Sequence, residues 1–348
     1  MKLAGMKAKL AGAGILIAAA GAAVTVGAVQ TNTGSVPITN ARCRVWLGNP
    51  VTPEPGHCTG TFTASTPTAS PTASPTASPT ASPTASPTPP PGAPHVLVIM
   101  EENKGYAATL GTCSADPYFC SLAAKYASFT NSHGVSHPSD PNYIAIDSGS
   151  TQGCSNDSCF GPYKVPSLGG QLSKAGTPWD AYMESMPSAC FTGATSGTYA
   201  RKHNPFQDFT DVGTPCHDLV YPGSSALVST LNGSSAPDFV WITPNLNDDA
   251  HDGTVPQMDA WLKANLAPIL ASPWFLSYSA TVIITMDEGN PGSTNQIPTV
   301  VISSNGAGKG SITTNISHYA ILRAIEATYG LSFLGAAASA PDVSAFFG

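Results

Sequence analysis

The sequence predicts an α/β fold: one layered domain over residues 95–348, with a mostly parallel central sheet flanked by helices. Three observations predict it. Four short runs, 95–100 (HVLVIM), 239–243 (FVWIT), 282–286 (VIITM) and 299–303 (TVVIS), are continuously apolar. Unbroken apolar runs of this length suit strands covered on both faces, as in a parallel sheet. Helical patterns at 258–269 and 319–329 lie among them, and strands interleaved with helices build layered α/β domains. A Thr-Ala-Ser-Pro repeat at 63–94 marks where this domain begins.

Ahead of the domain the chain is of a different kind. Lys2, Lys7 and Lys9 precede an apolar, small-residue run at 10–28, the pattern of a secretory signal over 1–28. The run is Ala/Gly-rich with no basic flank after it, which argues against a membrane anchor. Residues 29–62 form a short segment with one cysteine pair, too small to bury a core unaided. The sequence gives no purpose for it; a disulfide-closed ornament, the remnant of a binding module and a tether to a cell wall or other extracellular matrix all stay open. In the repeat, proline at every fourth position excludes helix and ladder, so 63–94 reads as an extended linker.

Cysteine usage fits export to an oxidising compartment. The eight cysteines fall in close pairs, Cys43/Cys58, Cys113/Cys120, Cys154/Cys159 and Cys190/Cys216, and nearest-neighbour disulfides are the simplest pairing. None has the C-x₂-C spacing of a zinc site. A net charge of −7, with 14 Lys and Arg in 348 residues, excludes nucleic acid or an anionic membrane as the main partner. The expected protein is secreted and extracellular.

In parallel sheets ligands sit beyond the carboxyl ends of the strands, and three of the apolar runs end in polar residues. The first gives Glu101-Glu102-Asn103, the second leads to Asp248-Asp249-Ala250-His251-Asp252, and the third ends in Asp287-Glu288-Gly289. One acidic strand end is ordinarily a cap for the next element. Three in one domain suggest a site for a hard cation. Between the first two runs lies HPSDPNYIAIDSG at 137–149, where Ser139 stands before an expected helix. Taken alone, that serine reads as an N-cap. No G-x-S-x-G elbow surrounds it, so a metal-activated hydroxyl is the alternative to an ordinary serine hydrolase.

Seven blocks in order, VLVIMEENKGY, HPSDPNYIAIDSG, WDAYMESMP, KHNPF, PNLNDDAHDG, ITMDEG and HYAILRAIEATYGL, cover the domain. In them the chain resembles the phosphoesterase family of the alkaline-phosphatase superfamily, which holds bacterial acid phosphatases and non-specific phospholipases C. The short WDAYMES and KHNPF blocks resemble the acid-phosphatase branch more closely. The resemblance implies an alkaline-phosphatase-like catalytic domain and a divalent metal (Ca, Mg, Mn or Zn) held by Glu102, Asn103, Asp287 and Glu288. It implies Ser139 as nucleophile and Asn142 near the phosphate. Asp249, His251 and His318 would bind a second metal, or bind phosphate and protonate the leaving group. Asp248 stands where relatives carry asparagine. His203 is a candidate substrate contact.

The implied activity is phosphomonoester hydrolysis through a phosphoserine, on a small phosphoester or phospholipid. A phospholipase C-type phosphodiesterase is the alternative, and a non-catalytic secreted binding protein is the alternative from another class.

Overall fold

The computed structural model describes residues 94–277 and 279–347. Before residue 94 it gives only the backbone of five short strands, Leu16–Ala20, Ala23–Gly27, Thr33–Thr39, Arg42–Val45 and His57–Thr63. Most of the expected linker lies outside that description, and for the expected signal and the Cys43–Cys58 pair it extends only to those backbone segments. The chain divides into two compact units, Met1–Thr84 and Ala85–Gly348, and the second holds all the elements numbered below.

Its centre is a nine-stranded sheet. In chain order the strands are β1 (His95–Glu101), β2 (Ala127–His133), β3 (Trp179–Met183), β4 (Asp218–Val220), β5 (Phe239–Thr243), β6 (Ala280–Met286), β7 (Gln296–Ser303), β8 (Gly310–Ile312) and β9 (Ile316–Ser317). The spatial order is β4-β3-β5-β1-β6-β7-β2-β8, with β9 also paired to β2. Only β7 runs against the rest: its pairings with β6 and β2 are antiparallel and all the others are parallel. The mostly parallel sheet matches the expectation, and all four apolar runs are strands within it.

The alternation of side chains divides the core in two. On β1, Val96, Val98 and Met100 face a layer holding α2 (Asp140–Ser148), α3 (Leu168–Ala175) and α7 (His318–Thr328). Leu97 and Ile99 face the opposite layer, built from α1 (Pro117–Lys125), α4 (Ser224–Leu231), α5 (Val255–Leu270) and α6 (Pro273–Ser277). Each buried aliphatic side chain contributes about 1.5–3 kcal/mol, and on β1 both faces stay apolar from Val96 to Met100.

Two helix boundaries affect the site. Helix α5 begins at Val255, earlier than the periodicity suggested, because Thr254 and Gln257 form a capping box. Helix α2 stops at Gly149, whose φ is +70° and where a Cβ would lie 2.2 Å from Leu334 O, so no side chain fits. Disulfides Cys113–Cys120, Cys154–Cys159 and Cys190–Cys216 are formed, as the nearest-neighbour pairing expected. No helix among the described residues is long and apolar enough to cross a membrane.

Candidate active site at the carboxyl edge of the sheet

Because β5, β1 and β6 are neighbours and parallel, their carboxyl ends deliver three acidic loops to one edge. The backbone stitches them together: Glu102 N donates to Asp249 O at 2.8 Å and Asp287 N donates to Glu101 O at 3.0 Å. Two residues turn with positive φ there, Asn103 (55°) and the fully buried Ala250 (75°). A left-handed alanine is strained, and the strain turns the loop between Asp249 and His251. The same loop closes at Gly253, where any Cβ would lie 1.8 Å from Asn247 O.

Glu102 lies at the middle of the cluster. Ser139 Oγ donates to Glu102 Oε2 at 3.1 Å and Tyr143 OH donates to Oε1 at 2.6 Å. Ser139 and Tyr143 stand four residues apart, so both reach the same carboxylate from one side of α2's first turn. Ser139 has helical φ and ψ and makes no cap hydrogen bond. Its hydroxyl is directed away from its own helix, so the N-cap reading does not hold.

Asn142 anchors the loop that carries the serine. Its Oδ1 accepts from Val135 N and Ser136 N, at 2.8 and 2.9 Å. Its Nδ2 donates to Ser136 O and Pro138 O, at 3.0 and 2.9 Å. With both ends of the amide engaged, Asn142 shapes the loop that carries Ser139, and its donors are spent within that loop.

The histidines take distinct positions. His203, on a 3₁₀ turn (Arg201–His203), places Nε2 3.2 Å from Glu102 Oε1 and Nδ1 3.5 Å from Asp249 Oδ2. It stacks on Tyr143 at 5.2 Å. Burial first, then the charges of Lys202 and His251, hold it well below the ordinary histidine range, so it is neutral. His318 opens α7 and meets the main-chain carbonyl of Asp287 with Nε2 at 2.6 Å. A carbonyl only accepts, so Nε2 carries the proton and the buried Nδ1 is a bare acceptor. His251 faces Asp252 with Nδ1 at 2.8 Å and the Lys202 ammonium with Nε2 at 3.0 Å.

The electrostatics suit a cation. Burial, then the charges of Asp287 and Asp249, raise Glu102 well above the usual carboxylate range. Asp249 is raised for the same leading reason, and so is Glu101, which lacks any hydrogen bond to either oxygen. Asn103 Oδ1, Asp249 Oδ2 and Asp287 Oδ2 are buried oxygens without hydrogen-bond partners. Buried acceptors left without donors are costly, and a nearby divalent cation would offset that cost for any of these oxygens it reaches. Glu102, His203 and His251 also offer ligating atoms that all lie within 4.8 Å of one another.

The expected ligand set therefore meets the structure unevenly. Glu102, Asn103, Asp249 and Asp287 stand on adjoining loops at one sheet edge, but the ligating atoms within 4.8 Å of one another are those of Glu102, His203 and His251, and Glu288 turns aside, its carboxylate against the ring of His137. Burial, Asp287 and Asp157 push Glu288 up to about 8. His203 and His251 join as candidate nitrogen ligands. Residues that sequence reasoning passed over are Tyr143, Asp157 and Lys202. Tyr143 was detectable from its spacing to Ser139, and Lys202 from its place beside His203, while nothing in the sequence pointed to Asp157.

Comparisons with known proteins bear on the family and the fold. Residues 114–332 match the Phosphoesterase family. The chain is 35% identical over 255 residues to a phosphatidylinositol-3-phosphatase of Mycobacterium tuberculosis, covering 73% of this chain and 83% of that protein. It is 32% identical over 237 residues to a phosphate-repressible acid phosphatase of Penicillium chrysogenum, covering 63% of this chain and 56% of that one. It therefore spans little more than half the length of the fungal relative. Among solved structures, a protein in the alkaline phosphatase superfamily from Vibrio parahaemolyticus aligns with a TM-score of 0.51 at 12% identity, over 72% of this chain and 71% of that chain. That likeness shows the fold.

Proposed function

The chain belongs to the Phosphoesterase family, a hydrolase acting on phosphoric esters, and from that premise we propose that it is a secreted, metal-dependent phosphomonoesterase working through a phosphoserine on Ser139. The observation that carries the reading is the hydrogen bond from Ser139 Oγ to Glu102 Oε2 at 3.1 Å. A buried serine that ignores its own helix and points at a carboxylate in an acidic cluster has a proton acceptor in place.

Each residue has a distinct task in this scheme. Glu102 receives the hydroxyl proton as Ser139 Oγ forms its bond to phosphorus and the ester P–O bond breaks. Tyr143 holds the carboxylate in place, with His203 stacked on the tyrosine ring. His318, with its ring proton on the Asp287 carbonyl, positions that aspartate. That leaves His251 to protonate the leaving alkoxide once its Nε2, which accepts from the Lys202 ammonium in this structure, has taken up a proton. Water then attacks phosphorus, the Ser139 Oγ–P bond breaks, and serine regains its proton. A divalent ion held by Glu102, Asn103, Asp249 and Asp287 would supply Lewis-acid stabilisation of the attacking oxygen and the phosphoryl charge.

The monoester reading is favoured over the phospholipase C alternative because the relatives are named phosphatases. A lipid-borne phosphomonoester, as the mycobacterial relative's name indicates for that protein, is within the same class. The convergent carboxylates argue against a non-catalytic binding protein. Export is supported by three disulfides.

The test is hydrolysis of p-nitrophenyl phosphate by the full chain before and after EDTA, with Ser139→Ala alongside. Turnover that EDTA abolishes, with a loss of about 10³-fold or more in the variant, is the expected result. Near-normal turnover in Ser139→Ala would end the phosphoserine scheme.

A further inference from the structure

We infer that Lys202 binds the phosphoryl group of the substrate, and that Asp157, carried on the loop closed by Cys154–Cys159, is the positioning residue that aims the ammonium. This rests on the phosphomonoesterase reading and names the residue on this chain that would hold the substrate's charge.

The geometry begins with the disulfide loop. Cys154 and Cys159 close a ring of sequence separation 5 around Asp157. Two hydrogen bonds pin the ring to the start of α2: Cys159 N donates to Asp140 Oδ2 at 2.8 Å, and Asp140 N donates to Asp157 Oδ1 at 3.1 Å. The other oxygen of Asp157 accepts from Lys202 Nζ at 2.9 Å. One carboxylate thus joins the ammonium to the residue that comes after the nucleophile. A second route runs through His251, whose Nε2 is 3.0 Å from Nζ. A ligating atom of that ring lies within 4.8 Å of one on Glu102, the acceptor of the Ser139 hydroxyl. The first route ends at Asp140, the neighbour of Ser139, and the second at the acceptor of its hydroxyl.

A purely structural ion pair does not account for the arrangement. The Lys202 side chain is 16% exposed while Asp157 is 36% exposed, so the lysine has been drawn inward for a pair worth at most about 1 kcal/mol at a surface. An ammonium has three donors; Asp157 and His251 take two, leaving one for an incoming acceptor. Besides Asp157, Lys202 interacts electrostatically with Glu102, Asp140, Asp249, Asp287 and Glu288. A phosphomonoester dianion entering among so many carboxylates is repelled unless positive charge meets it. The adjacent Arg201 is committed to Asp208 and Thr192 O, so Lys202 is the neighbouring cation that faces the site. A compact, mobile ammonium suits an acceptor that changes shape between ester and phosphoenzyme.

The experiment is calorimetric titration of inorganic phosphate into the full chain with Mg²⁺ present, for the wild type, Lys202→Met, Lys202→Arg and Asp157→Asn. Melting curves and p-nitrophenyl phosphate kinetics accompany it. Lys202→Met is expected to weaken phosphate binding about 10- to 100-fold, the loss typical of a hydrogen bond to a charged group, and to raise KM in step. Lys202→Arg should recover part of that loss. Asp157→Asn should weaken binding several-fold with the ammonium still present. Wild-type phosphate affinity in a folded Lys202→Met overturns the inference, as does a wild type that binds no phosphate. Should Lys202→Met fail to fold, unchanged affinity in Asp157→Asn overturns it instead. A wild type that binds phosphate but cleaves no ester defeats the phosphomonoesterase reading alone.

Discussion

At the residue scale, Glu102 shows how a site can be arranged against the stability of its own fold. Its carboxylate is fully buried, beside Asp287 and Asp249, and its proton affinity is raised in consequence. A group whose folded-state pKa is raised stabilises the fold only while protonated, and that contribution is lost as pH rises through the folded value. Glu102→Gln keeps the shape and removes the charge. It should lower turnover by about 10²-fold or more, since a positioned acid–base group contributes about 10²–10⁴. In EDTA at pH 8 the same variant should melt no lower than the wild type, and a lower melting temperature there would contradict the account. The residues meeting at this point were legible because strand ends of a parallel sheet must converge. Side-chain direction was not: Glu288 turns to His137, His318 to a carbonyl, and Asn142 to its own loop. Those choices depend on backbone torsions far from any sequence pattern.

At the scale of elements, the site is a set of loops held by short covalent and hydrogen-bonded clamps. The Cys154–Cys159 ring anchors Asp157 to α2. Replacing both cysteines by serine removes a loop constraint worth about 2 kcal/mol. The double variant should therefore melt several degrees lower and should also bind phosphate more weakly, with a loss like that of Asp157→Asn. A drop in melting temperature with unchanged phosphate affinity would show that the ring is structural only. The elements themselves were unevenly readable. Strands β1, β5, β6 and β7 stood out because both of their faces are buried. β2 (ASFTNSH) was missed because four of its seven residues are Ser, Thr or Asn, as was three-residue β4. β3 (WDAYM) carries an aspartate within it. Periodicity detects apolar burial, and strands near the sheet's margins, like these, display less of it.

At the scale of the whole molecule, the sheet order could not be read from the sequence, since nothing local says that β1 lies between β5 and β6. That adjacency gathers the acidic loops, and it has a cost distributed across the domain. Buried carboxyls elsewhere are also raised, each chiefly by burial: Asp140, Asp218 and Glu326 to about 7, and Asp116 to about 6. Each binds its proton more tightly in the folded than in the unfolded chain. Between about pH 4 and pH 7 the native state therefore holds more protons, and stability falls as pH rises through that window. The metal-free protein should melt several degrees lower at pH 8 than at pH 5. A bound divalent ion acts in the opposite sense. Glu102 and Asp249 must be deprotonated to ligate it, so cation and proton compete, and affinity rises with pH. An ion at about a hundred times its Kd would stabilise the fold by about 2.7 kcal/mol, or roughly 5–10 °C in a domain of this size. Melting curves with and without the ion should show that increment larger at pH 8 than at pH 5. An equal or larger increment at pH 5 would mean that the ion is not held by these raised carboxylates.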